Sequence, residues 1–90
     1  MARWVKRWHD MVENPRGWSY ADAATVLHGI GFVPPSKPSG SHRWWRHPIG
    51  CRVGIPDYGH GHVPVEYIKD MVRLVRTAGL EPTASSEDTA

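Results

Sequence analysis

The sequence reads as an α+β protein of two layers, a short three-stranded antiparallel sheet with helices packed on one face. Three features point there. Apolar residues recur at helical period in three separate stretches, the pattern between the second and third switches to strict alternation, and glycine and proline punctuate the alternating part at turn spacing. The order is α, α, β, β, β, α, and a sheet with one apolar face satisfies it by covering that face with the helices. At 90 residues the chain suits one small domain with a single core.

The first helix is expected over residues 2 to 13, where Trp4, Val5, Trp8, Met11 and Val12 form one apolar stripe and Arg3, Lys6, Arg7 and Asp10 fall elsewhere. "NPRG" stops it, because the residue before Pro15 is pushed out of the α region and Gly17 frees the turn. A second helix follows over about 19 to 30. Ser19 and Asp22 have the spacing of a capping box, Trp18 is positioned to staple the first turn, and Tyr20, Ala23, Ala24, Leu27 and Ile30 make the apolar face. Gly31 is its natural terminator.

"FVPPSKPSG" starts as a strand, but Pro34, Pro35 and Pro38 donate no ladder hydrogen bonds, which makes it an edge strand or an irregular arm. Residues 41 to 47 alternate, "HPIG" turns the chain, and Cys51, Val53 and Ile55 share one face of the returning strand. "DYGHGH" is a glycine-punctuated loop. Pro64 suits the first position of the last helix, whose buried stripe is Val65, Ile68, Met71, Val72 and Val75. Lys69, Arg73 and Arg76 form a basic ridge beside it, and Gly79 ends it. Residues 81 to 90, small, polar and acidic, have too little apolar surface to offset the entropy of ordering. The chain thus divides into an additional N-terminal helix and turn (1–16), a main domain (17–80) and a tail (81–90).

Charge and composition narrow the partners. The formal charge is +2, but the tail holds three of the nine acids and none of the eleven lysines and arginines, so the rest of the chain is more basic than the total suggests. That excess favours a polyanion or an acidic protein surface. One cysteine, Cys51, makes no internal disulfide and reads as a small core residue. No apolar run approaches the ~20 residues of a membrane-spanning helix, the basic N-terminus reads as structure rather than a targeting signal, and the cytoplasm is the expected compartment.

A strand alternates sides, so His42, Trp44 and Arg46 share one face and Arg43, Trp45 and His47 the other. With Trp45 toward the core, His42, Trp44 and Arg46 look outward, joined by Arg52 from the partner strand. An outward indole stacks an unpaired base, guanidiniums hold phosphates, and an imidazole titrates near neutral pH. RNA cleavage uses the 2′-hydroxyl as internal nucleophile and asks of the protein a base, a donor for the leaving 5′-oxygen and positive charge, with no metal required. A histidine on a strand is also a common hydrogen-bonding side chain, and that alternative stays open. His60 and His62 invite a metal guess, but no carboxylate or thiol lies at a recognised spacing, so neither a metal nor a cofactor is expected. His47, before Pro48, reads as a strand-end hydrogen bonder, and Trp4 and Trp8 as packing residues.

"GIGFV", "GSHRWWRHP", "RVGIP" and a last helix ending in "AGL" together resemble the HicA-type toxin family, over roughly residues 19 to 80; "NPRGWSYADAATVLHGIGF" resembles a longer subgroup with an extra N-terminal helix. The most specific piece is Gly40-Ser41-His42, followed by Trp45 and His47-Pro48. The resemblance implies a double-stranded-RNA-binding-domain-like fold and the function of a toxin in a type II toxin–antitoxin pair, a metal-independent endoribonuclease cleaving mRNA and covered by a HicB-type antitoxin. His42 would be the catalytic base or acid. Gly40 would admit close backbone approach, and Ser41 would orient a phosphate or the imidazole. From the residues themselves, Trp44, Arg46 and Arg52 would contact RNA across the open face, and the ridge of Lys69, Arg73 and Arg76 is either a further phosphate contact or a solvated helix face. The proline-rich "VPPSKPS" stands where the family has a more regular strand. A non-catalytic RNA-binding module and a protein-interaction domain are the competing readings, and a homodimer is left open.

Overall fold

The first helix, α1 (Arg3–Glu13), forms where the apolar stripe lies, and it buries Val5, Trp8 and Met11. In this computed structural model, residues 2–36 and 41–82 are described. Asn14 closes the helix, its N–H donating to the Asp10 carbonyl, and its own carbonyl accepts from the Trp18 indole N–H at 2.7 Å. The turn into α2 (Tyr20–Ile30) is thereby held by the same tryptophan that packs against the core.

The capping box of α2 is complete. Asp22 N–H donates to Ser19 Oγ at 3.2 Å while Ser19 N–H donates to Asp22 Oδ2 at 3.1 Å, satisfying two donors that helix geometry leaves free. Ser19→Ala is expected to lower unfolding free energy by about 1 kcal/mol, read as a fall in the urea midpoint at constant slope. At the other end Gly31 takes φ 117°, the left-handed cap that a side chain would strain. The buried face of α2 is Ala23, Val26 and Leu27, with Tyr20, Ala24 and Ile30 half-buried. Val26 lies outside the expected stripe because α2 is covered twice, by α1 as well as by the sheet. The α1–α2 approach is close: a Cβ on Gly29 would collide with the Trp4 ring, and Arg7 reaches Asp22 at 3.5 Å.

Among the described residues the sheet has two strands, β1 (His42–Arg46) and β2 (Arg52–Pro56), antiparallel, with Trp44 opposite Gly54 and Trp45 opposite Val53. The hairpin closes through His47 N–H to the Cys51 carbonyl and Gly50 N–H to the His47 carbonyl. The expected third strand is corrected to a single bridge, in which Val33 and Arg46 exchange both backbone hydrogen bonds. Antiparallel ladders pair bonded residues two apart, so the next bonded pair would set Pro35 against Trp44. Pro35 has no N–H to give, and the ladder ends there.

The last helix, α3 (Val65–Thr77), packs on β2 and α1. Pro64 stands at its N-cap, one position earlier than expected, and Gly79 follows it at φ 73°. Trp45, Val53 and Ile55 meet Trp8, Met11, Leu27, Ile68, Met71 and Val75 in one buried cluster. The indole N–H of Trp45 donates to the Tyr20 hydroxyl at 3.1 Å, so the largest inward side chain of β1 leaves no polar group unmet. Cys51 is half-buried against the same cluster. No helix among the described residues is long and apolar enough to cross a membrane.

Candidate nucleic-acid interface

The pleat of β1 divides its side chains as alternation dictates. Trp45 is 5% exposed among the helices, whereas Trp44 is 49% exposed and shares the open face with His42 and Arg46. Arg52 joins them from β2, opposite Arg46. Residues 33–36 of the proline arm stand beside this face, and together with His42, Trp44 and Arg46 they enclose a cleft of about 470 Å³. Stopping the third strand at Val33 is what leaves that cleft open, because a continued ladder would have drawn the arm against β1.

Trp44 lies across Gly54: a Cβ at that position would stand 2.9 Å from Cζ3 of the indole. The Arg52 guanidinium carbon sits 5.1 Å from the ring centroid, a cation–π contact. Glycine opposite tryptophan therefore lets a large ring rest on the strand, and the guanidinium holds it there. Neither Arg46 nor Arg52 has a carboxylate partner among the described residues, so both charges are available to an anion.

His42 has an exposed imidazole with no side-chain hydrogen bond among the described residues, and its ring meets Tyr67 edge-on with centroids 5.9 Å apart. Tyr67 belongs to the first turn of α3. It escaped the sequence reading because nothing in the one-dimensional pattern ties position 67 to position 42. The contact arises from docking: α3 packs on β2, whose last residue, Pro56, is paired with His42. Ser41 is half-buried, and its carbonyl accepts from Asp57 N–H. Gly40 lies outside the described residues, as does 83–90 of the tail.

His47 is occupied in the turn. Its Nδ1 accepts from Ile49 N–H at 3.2 Å and its ring packs edge-on against Phe32. Lys69, Arg73 and Arg76 are exposed on α3 but border a different groove, between α1 and α3. Arg73 pairs there with Asp70 and Arg76 with Glu81, exposed contacts worth little to stability. His60 and His62 line a further cleft beside the start of α2, with Tyr58 and Asp57; Asp57 Oδ1 accepts from Gly59 N–H in that loop. The described residues contain no group of three or more side chains able to hold a metal ion.

No family model matches the chain, and neither a curated protein nor a solved structure matches it.

Proposed function

We propose that the chain is an endoribonuclease that cuts single-stranded mRNA on the open face of the hairpin, a HicA-type toxin with a double-stranded-RNA-binding-domain-like fold. One observation carries the reading: an imidazole, an indole and two guanidiniums, the latter without carboxylate partners among the described residues, stand together on one solvent-facing surface beside a cleft. Trp44 offers a platform for an unpaired base. Arg46 and Arg52 attract the phosphates on either side, and their charge favours the phosphorane that develops when a 2′-oxygen attacks the adjacent phosphorus. His42 takes the 2′-hydroxyl proton. Gly40 and Ser41 precede it; Gly40 is proposed to let the RNA backbone approach, and Ser41 to orient a phosphate or the imidazole. A cytoplasmic HicB-type antitoxin would silence the enzyme by covering this basic, aromatic surface.

The test is incubation of the purified chain with end-labelled single-stranded RNA in the presence of a chelator. Shortened products ending in a 2′,3′-cyclic phosphate are expected. RNA that is bound in a salt-dependent way and recovered intact would replace this reading with a non-catalytic RNA-binding module; RNA that is neither bound nor cut would favour a protein-interaction domain. Trp44→Ala is expected to weaken binding of a short single-stranded oligonucleotide by about 1–3 kcal/mol, the worth of one stacked base, measured by fluorescence anisotropy at fixed salt.

A further inference from the structure

Cleavage through a 2′-hydroxyl needs two proton transfers, one from the nucleophile and one to the leaving 5′-oxygen, and His42 accounts for the first. The described side chains leave few sources for the second. His47 already accepts from Ile49 N–H and packs on Phe32. His60 and His62 open onto another cleft. Arg46 and Arg52 donate hydrogen bonds but not protons, since guanidinium does not deprotonate in proteins. The Ser41 hydroxyl is no stronger an acid than the leaving alcohol, whereas a phenol is stronger by several orders of magnitude.

Tyr67 carries such a phenol, and its ring touches that of His42 at a centroid separation of 5.9 Å. Neither the imidazole nor the Tyr67 hydroxyl has a hydrogen-bond partner among the described residues; His42 is exposed, and since no buried side-chain polar atom there lacks a partner, the Tyr67 hydroxyl is not fully buried. The ring itself packs partly against the core, which fixes where the hydroxyl can go.

We propose that Tyr67 is the general acid that protonates the leaving 5′-oxygen, and this rests on the ribonuclease reading of the sheet face. The 2′-oxygen forms its bond to phosphorus as its proton passes to the His42 imidazole. The bond from phosphorus to the 5′-oxygen breaks as that oxygen takes the phenol proton. The products are a 2′,3′-cyclic phosphate and a 5′-hydroxyl, leaving an imidazolium and a phenolate. Return of the proton from one to the other through water resets the pair.

The experiment compares two oligoribonucleotides that differ at one bridging atom: the natural 5′-oxygen, and a 5′-sulfur that departs without protonation. Tyr67→Phe keeps the packed ring and removes only the hydroxyl. On the oxygen substrate this variant is expected to lose about 10²- to 10⁴-fold in kcat with KM unchanged; on the sulfur substrate it should match the wild-type chain. His42→Ala should be slow on both, because the nucleophile still needs its base. A Tyr67→Phe chain as fast as wild type on oxygen overturns the proposal, as does one equally slow on both substrates, which would reduce Tyr67 to a residue that positions His42. A wild-type chain that cuts neither substrate overturns the ribonuclease reading itself, and the acid with it.

Discussion

His42→Ala is expected to cut RNA about 10²- to 10⁴-fold more slowly than the wild-type chain, while folding and binding RNA much as before. The two halves of that expectation have separate causes. The imidazole is exposed, makes no side-chain hydrogen bond among the described residues and meets the ring of Tyr67 edge-on, so its removal should change stability by no more than about 0.5 kcal/mol. On the proposed reading, binding rests on Trp44, Arg46 and Arg52, which the substitution leaves in place. A proton acceptor absent from the transition state lowers kcat and kcat/KM together and leaves affinity alone. Single-turnover cleavage in chelator, alongside anisotropy and a urea melt of the same preparations, separates these quantities. An alanine variant that cleaves at the wild-type rate would remove His42 from the chemistry.

The largest stability effect is expected at Trp8. Trp8 is 1% exposed and lies in the shared cluster with residues of both strands and of α2 and α3, so Trp8→Ala should cost about 3–5 kcal/mol. A small domain has about 5–15 kcal/mol in all, and the variant should be partly unfolded at modest urea concentration. The same logic covers the first 16 residues as a block: their removal takes Trp8 and Met11 out of a cluster that has no substitute for them. A loss below about 1 kcal/mol in equilibrium denaturation would mean that α1 packs on the domain without supporting it.

Much of the site was legible because its geometry is local. The capping box needs only Ser19 and Asp22 three residues apart, a spacing that satisfies donors the helix start leaves free. The division of Trp44 from Trp45 follows from the two-residue period of a strand once Val53 and Ile55 define the inner face. What escaped was set by register and docking. The prolines of the arm announced an irregular edge, but that the ladder would stop after Val33 depended on Pro35 meeting a bonded position opposite Trp44. Val26 was missed because a single helical stripe describes a helix covered once, and α2 is covered by α1 and the sheet. The seat of Trp44 on Gly54, with Arg52 over it, required the strand register, and the meeting of Tyr67 with His42 required in addition the path of α3 across β2. Lys69, Arg73 and Arg76 made a ridge in sequence as they do in space, yet the ridge borders the groove toward α1 and not the cleft of the sheet face.

Among the described residues, the backbone mooring of the proline arm on the hairpin is the pair of hydrogen bonds between Val33 and Arg46. Letting go of that mooring is a local event, well short of the free energy that unfolds the core, and it leaves the pairing of β1 with β2 whole. The groove beside Trp44 thus lies between a strand held by a full ladder and an arm held by two hydrogen bonds, and on the proposed reading the arm is the side expected to yield when a base enters.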